Sequence, residues 1–310
     1  MRILVSGGAG FIGSHTVDAL VADGGHEVSI IDDLSAGKRE QVNSRARFHQ
    51  VDIRDAGAVR GVIEHERPEV LMHLAAQMDV RRSVADPGFD AQVNLVGFLN
   101  LMEAGREHGL RRVVFSSTGG AIYGEQEAFP CDENHPLRPV SPYGVAKLAT
   151  EKYLFFYRAQ YEIDYLAMRY ANVYGPRQDP HGEAGVVAIF CGRILEDRPV
   201  TIYGDGGQTR DYVFVADVVR ANMAALASNA SGAFNVGTGV ETDVNQLYAA
   251  LARIAGTGRA PEFGPPRAGE QRRSVILPAR AAKELGWRPQ VELSDGLAQT
   301  LRFFRDRAAR

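Results

Sequence analysis

At 310 residues, with 45% apolar and 24% charged side chains, the chain has the make-up of one large or two modest globular domains. A formal net charge of −3 offers no basic surface for nucleic acid or an anionic membrane, and the eight histidines show no H-E-x-x-H or other metal-ligand spacing. No apolar run reaches the roughly 18 residues of a membrane span, and the separated Cys131 and Cys191 read as reduced thiols of a cytoplasmic protein.

Residues 2–6 read as a short apolar strand, so no signal peptide is expected ahead of it. Gly7-Gly8-Ala9-Gly10-Phe11-Ile12-Gly13 follows at once and opens a helix over 11–23, with Ile12, Val17 and Leu20 apolar. Glycines at this spacing allow a tight turn and a close approach of backbone to a pyrophosphate, which the helix N-terminus then attracts. The next strand, 27–32, leads into Asp32 and Asp33. An acid about twenty residues past the glycines accepts from a ribose 2′-hydroxyl and repels a 2′-phosphate, so the motif reads as a dinucleotide site favouring NAD over NADP.

Further strands are expected at 46–50, 69–74, 111–117 and 163–169, separated by helices near 55–66, 88–109 and 141–161. Asp52-Ile53 closes the third strand and Leu74-Ala75-Ala76 the fourth, at the carboxyl ends where open α/β sheets bind ligands. Val113-Val114-Phe115-Ser116-Ser117-Thr118 brings hydroxyls to the same edge. In Tyr143-Gly-Val-Ala-Lys147 the phenol and the ammonium share one helix face. Lys147 is expected to pull the Tyr143 pKa down from about 10 toward neutrality, making it a general base or acid within reach of Thr118. Beyond residue 171, Gly-Pro-Arg (175–177), Asp-Pro-His-Gly (179–182) and Gly-Asp-Gly-Gly (204–207) mark long loops, and a final amphipathic helix is expected at about 294–308.

GGAGFIG (7–13), SSTGGAIYG (116–124), SPYGVAK (141–147), RYANVYGPRQDPHGEAG (169–185) and TRDYVFVADV (209–218) occur in this order. On these motifs the chain closely resembles the extended short-chain dehydrogenase/reductase family and, within it, the UDP-glucose 4-epimerases, over essentially its whole length. The resemblance implies a doubly wound parallel (Rossmann) α/β sheet with a smaller α/β C-terminal substrate domain. It places NAD binding in 1–171, with 213–237 returning to that domain, and nucleotide-sugar binding in 172–212 and 238–310. It implies Thr118, Tyr143 and Lys147 as catalytic residues. The cofactor set it implies is Gly7, Gly10, Phe11, Ile12, Gly13, Asp32, Asp33, Asp52, Ile53, Leu74, Ala75, Ala76, Asn94, Tyr143, Lys147 and Tyr170. The substrate set is Thr118, Asn172, Val186, Tyr203, Arg210, Arg267 and Ser274. Two of these suit a diphosphate independently of the name, since Arg210 and Arg267 sit in separate loops and arginine offers donors in a fork. Tyr203 has an aromatic face for the uracil.

The implied reaction is 4-epimerisation of a UDP-hexose through a transient 4-keto sugar, with NAD retained and neither nucleic acid nor membrane as partner. Gly119 and Gly120 follow Thr118 where 4,6-dehydratases carry an acid, which disfavours dehydration. A UDP-glucuronate 4-epimerase stays open, because Arg81 or Arg82 could meet a C6 carboxylate, and a non-catalytic NAD-sensing regulator is the remote alternative. Strict UDP-glucose/UDP-galactose epimerases carry a bulky tyrosine at the place of Ser274, so UDP-GlcNAc and UDP-GalNAc are expected to enter; the plain alternative is a surface serine. Helices 88–109 and 143–161 carry more apolar surface than one face against a sheet requires, and a homodimer is expected through them.

Overall fold

The computed structural model describes residues 1–180, 185–267 and 271–308. The first half alternates strand and helix: β1 (Arg2–Ser6), α1 (Phe11–Asp23), β2 (Glu27–Asp32), β3 (Arg47–Gln50), α2 (Ala56–Glu66) and β4 (Val70–His73). Two short helices, α3 (Val80–Ala85) and α4 (Pro87–Ala91), lead through a π turn at Gln92–Val96 into α5 (Gly97–Glu107). Then come β5 (Arg112–Thr118), α6 (Pro142–Tyr161) and β6 (Asp164–Tyr170).

The helix expected over 88–109 runs in unbroken right-handed helical backbone from Pro87 to Glu107 and is widened by this π turn. The cause lies at Asn94, whose side-chain oxygen accepts the Gln77 N–H at 2.9 Å while its amide donates to the Gln77 carbonyl at 2.8 Å. The π turn widens the helix at the residue that makes this inward contact. Just beyond it, a Cβ on Gly97 would stand 2.6 Å from Ile53 Cγ1, so only glycine lets α5 come this close.

The rest of the chain forms β7 (Asn172–Tyr174), α7 (Val186–Leu195), β8 (Thr201–Tyr203), β9 (Thr209–Phe214), α8 (Val215–Ala227) and β10 (Gly232–Val236). It ends with β11 (Glu241–Asp243), α9 (Val244–Ala255), β12 (Glu262–Gly264), β13 (Arg273–Ser274), α10 (Ala279–Glu284) and α11 (Leu293–Ala308). His181 and Gly182 of the 179–182 loop, and Ala268–Glu270 after Arg267, lie outside the described residues.

Seven strands build one parallel sheet in the order β10-β6-β5-β4-β1-β2-β3. β1, next to the central strand β4, is apolar at Ile3, Leu4 and Val5 because both faces of the sheet are covered, and these three side chains have no exposed surface. Burying each contributes about 1.5–3 kcal/mol. Ile3 and Val5 pack with Val17 and Leu20 of α1 and with Val218, Ala221 and Ala225 of α8. Leu4 packs with Val62 and Ile63 of α2, Phe98 and Leu101 of α5, and Leu154 and Tyr157 of α6. The strand order reverses between β1 and β4, and at such a switch point the carboxyl ends of the strands open a crevice.

β10 reaches the edge of this sheet from far along the chain, pairing with β6 from Gly232↔Leu166 to Val236↔Tyr170. A second sheet has β11 and β13 on either side of β9, with β7 also paired to β9, and a parallel β8–β12 pair stands apart. α7, α9 and α11 pack around Ile202, Tyr212 and Phe214 in a core of their own.

Candidate active site

The crevice between β1 and β4 is lined by backbone. Gly7 sits at φ +74°, and a Cβ there would lie 2.6 Å from the Ala75 nitrogen and 2.8 Å from the Leu74 carbonyl carbon. A Cβ on Gly13 would collide with the Gly7 carbonyl oxygen. Gly10 caps α1 with no side-chain hydrogen bond, and its N–H donates to the Gly7 carbonyl at 3.1 Å. The first-turn N–H groups of a helix have no intrahelical acceptor, so this uncapped terminus suits a diphosphate. Phe11 and Ile12 follow and pack partly into the second lobe's core.

Asp32 closes β2 beside this turn, its Oδ2 accepting the Ala9 N–H and its Oδ1 the Leu34 N–H, each at 2.9 Å. Burial raises its pKa, and the two N–H donors work against that rise. Asp33 accepts from the Ser35 N–H at 2.9 Å and hydroxyl at 2.6 Å. Asp52 is paired with Arg54, which donates from Nε at 2.9 Å and Nη2 at 2.5 Å and holds the carboxyl below its usual range. Ile53 is buried against Gly97. Leu74 N–H donates to the Ser6 carbonyl at 3.0 Å, and the following Ala75 N–H to the Ser6 hydroxyl at 3.4 Å, so residues 74–76 cross directly behind the glycines. A glycine turn that admits no Cβ, an uncapped helix start and a buried acid together fit a dinucleotide.

Two of the cofactor candidates are occupied by the protein itself. The Asn94 amide is used by Gln77 and by Asp90 Oδ1 at 2.9 Å. The Tyr170 hydroxyl donates to Asn222 Oδ1 at 2.6 Å, and burial raises its pKa.

Ser141 caps α6 by accepting the Gly144 N–H at 3.2 Å, and Pro142 takes the first helical position. Tyr143 thus stands in the first turn of α6. That turn lies close against the end of β5, because a Cβ on Gly144 would be 2.7 Å from the Ala121 carbonyl oxygen. Thr118, the last residue of β5, accepts the Ala121 N–H at 3.2 Å in the same turn. One helical turn on, Lys147 Nζ donates to the Ser116 carbonyl at 2.8 Å and stands 5.7 Å from the Tyr143 ring centre. Thr118, Tyr143 and Lys147 are thereby gathered at the carboxyl edge of the sheet.

The electrostatics run against the expectation for this pair. Burial pushes the Tyr143 phenol up, with the Asp90 charge adding to the rise. Burial also lowers Lys147 from 10.5 to about 8, against the pull of Asp90. The lysine bonds a main-chain carbonyl rather than the phenol, and desolvation outweighs the neighbouring cation. His73, also buried in this layer, is lowered to about 3 by burial and then by the Lys147 charge, and its Nδ1 lies 2.7 Å from the Ser6 hydroxyl.

The substrate candidates gather around β9. Asn172 on β7 faces Tyr212, and Arg210 on β9 is in register with Ser274 on β13. Arg210 is thus a strand residue and not the loop residue the sequence suggested, and its Nη1 donates to the Thr209 carbonyl at 2.7 Å. Ser274 is 4% exposed, so it is no surface serine, and its Oγ lies 3.9 Å from the point a Cβ on Gly120 would occupy. The second sheet thus meets the turn that follows Thr118. Tyr203 and Arg267 meet each other, the guanidinium 4.0 Å from the ring centre, at the β8–β12 side. Val186 begins α7 directly after Gly185. Of the two arginines considered for a carboxylate, Arg82 lies 4.1 Å from the Phe89 ring centre.

Sequence reasoning overlooked Asp90, Glu151 and Arg169, all buried beside this site. Glu151 carried a readable signal, one further four-residue step from Tyr143 and Lys147. Asp90 carried none, since nothing local marks a helical aspartate as buried. Among the described residues no group of three or more His, Cys, Asp or Glu could hold a metal, and no helix is long and apolar enough to cross a membrane.

A glycine-cradled switch point with a threonine, a tyrosine and a lysine at the same sheet edge defines a Rossmann-type dinucleotide enzyme of the short-chain dehydrogenase/reductase class. Residues 3–237 match the NAD dependent epimerase/dehydratase family, and the chain belongs to it. It is 51% identical to the UDP-glucose 4-epimerase of Mycolicibacterium smegmatis, over 99% of this chain and 100% of the relative. A crystal structure of UDP-glucose 4-epimerase with UDP-glucose from Thermotoga maritima superposes with a TM-score of 0.97 at 48% identity, covering 99% of this chain and 100% of the other. The Thermus thermophilus UDP-glucose 4-epimerase in complex with NAD gives 0.94 at 48% identity, covering 98% and 99%.

Proposed function

We propose that the protein is an NAD-dependent 4-epimerase that interconverts UDP-glucose and UDP-galactose through a transient 4-keto sugar. The observation that carries this reading is the meeting of Thr118 with the Tyr143–Lys147 face of α6 beside a glycine cradle, in a chain alike over its full length to UDP-glucose 4-epimerases. Residues 1–171 with 213–237 would hold NAD, through Gly7, Gly10, Gly13, Asp32 and the strand ends at 52–53 and 74–76. Residues 172–212 and 238–310 would hold the UDP-sugar, through Asn172, Arg210, Arg267 and Tyr203. NAD, when bound, accepts the C4 hydride of the sugar and returns it.

Tyr143 takes and gives back the proton of the 4-hydroxyl, directly or through Thr118. Lys147 keeps a positive charge beside the phenol and ties it to β5. The arginines anchor the diphosphate, which leaves the sugar free to turn over between the two half-reactions. Ser274, buried near Gly120, is far smaller than a tyrosine, and this difference in side-chain volume is what supports entry of N-acetylated sugars. Exposed Val145, Tyr153, Phe155 and Phe156 along α6 support a homodimer, and the buried free cysteines suit the cytoplasm. The test is turnover of UDP-galactose by protein purified without added NAD, with NAD or NADH recovered on denaturation. A requirement for stoichiometric NAD would point to a dehydrogenase instead, and turnover of UDP-glucuronate alone would favour the carboxylate-sugar reading.

A further inference from the structure

The face of α6 that carries Tyr143 and Lys147 continues one step further to Glu151, again four residues on. Glu151 is buried and belongs to no part of the proposed chemistry. Its Oε1 accepts the Ser117 hydroxyl at 2.6 Å and Arg169 Nε at 3.0 Å, and its Oε2 accepts Arg169 Nη2 at 2.7 Å. The ion pair is 7% exposed on the acid side and 4% on the arginine side. Arg169 also donates from Nη1 to the Tyr123 hydroxyl at 3.0 Å, and Tyr123 in turn donates to Asn235 Oδ1 at 2.7 Å.

The strand register gives this network its place. Ser117 is paired across the sheet with Arg169, and Thr118 with Tyr170. Helix α6 is therefore fastened to β5 at two successive residues, by Lys147 on the Ser116 carbonyl and by Glu151 on the Ser117 hydroxyl, immediately before Thr118. Apolar side chains of similar volume would hold a helix to a strand with less desolvation cost, but without fixing its register. Directional, charge-assisted bonds fix both rotation and translation of the helix against the strand end.

We infer that Glu151, clasped by Ser117 and Arg169, is a positioning residue that sets the register of α6 on β5 and so holds Tyr143 and Thr118 at one point. The inference rests on the assignment of those two residues to the chemistry. The perturbation is Ser117→Ala, which cuts the link to β5 and leaves the Glu151–Arg169 pair whole. Tyr123→Phe is the matched control, because it cuts the other branch of the same network and spares Ser117.

The readouts are thermal unfolding, kcat and KM with UDP-galactose, and the isotope effect on kcat with substrate deuterated at C4. A small misplacement of reacting groups slows the chemical step without weakening nucleotide binding, so Ser117→Ala is expected to unfold cooperatively and to lose about tenfold in kcat with KM within about twofold. Its deuterium isotope effect rises, because hydride transfer becomes more fully rate-limiting, whereas Tyr123→Phe shifts only the unfolding temperature. Glu151→Gln, which keeps the acceptor for Ser117 and weakens the hold on Arg169, shifts the isotope effect the same way by less, and serves if Ser117→Ala does not fold. An unchanged kcat and isotope effect in these variants overturns the inference, as does an equal effect from Tyr123→Phe, which would mark general loosening of the core. Thr118→Ala separates this failure from that of the underlying reading: if it too keeps full turnover, the chemical assignment is at fault.

Discussion

Replacing Gly7 with alanine tests the cradle at its tightest point. The residue adopts φ +74°, where an alanine costs roughly 1–2 kcal/mol from its own backbone. Its Cβ would stand 2.6 Å from the Ala75 nitrogen and 2.8 Å from Ala75 Cα. That is about 0.9 Å short of ordinary van der Waals separation, an overlap that in a packed interior costs about 1–3 kcal/mol. The two effects together come to about 2–5 kcal/mol, or a fall in Tm of roughly 3–8 °C for a chain of this size. Because β1 must move away from the 74–76 segment to make room, NAD retained through purification should fall at least about tenfold. The assay pairs calorimetry with NAD(H) released on denaturation. Gly61→Ala supplies an internal control of opposite sign: Gly61 lies inside α2 with nothing within 4 Å of its added Cβ, so alanine there stabilises by about 0.5–1 kcal/mol. A Gly7→Ala protein with wild-type Tm and full NAD content would refute the reasoning.

Tyr143→Phe keeps the ring and removes the hydroxyl, so the protein should fold and retain NAD while turnover drops at least about a hundredfold; more than a tenth of wild-type activity would remove the residue from its role. Lys147 gives a pH signature in the NAD-free chain. Its pKa is about 8 in the fold against 10.5 when unfolded, so between those values the unfolded chain binds more protons and stability from this group rises with pH. The wild type therefore carries a penalty on the order of 3 kcal/mol below pH 8 that fades toward pH 10. The stability of Lys147→Met relative to wild type should fall across that interval, and a constant difference would contradict the burial argument. Ser274→Tyr should abolish turnover of UDP-GalNAc and preserve that of UDP-galactose, since a phenol beside Gly120 removes room on the scale of an N-acetyl group. A wild type that ignores both N-acetylated sugars would mean that another wall closes the pocket.

What was legible in the sequence was the chemistry carried by local spacing. Gly7, Gly10 and Gly13 announce a turn because each performs a backbone task that other residues perform poorly, and the sheet then supplies Ala75 as the neighbour that enforces it. Tyr143 and Lys147 announce themselves because a helix repeats every 3.6 residues. The direction of their pKa shifts was not legible, since it depends on how completely the fold excludes water and on which acceptor the lysine finds. In the fold that acceptor is Ser116, and the nearest unanticipated charge is Asp90. The π turn at Gln92–Val96 escaped for a related reason: a continuous helical pattern gives no sign that Asn94 must reach back to Gln77.

The same contrast bears on Tyr143 itself. Burial and the Asp90 charge raise the Tyr143 pKa in the fold, and a further positive charge beside the phenol would oppose that rise. Lys147 and His73 are both buried, so little water remains around them to screen an added charge. The residues that bury the β5–α6 seam therefore bear on the charge state of the groups there, alongside those that would exchange the proton.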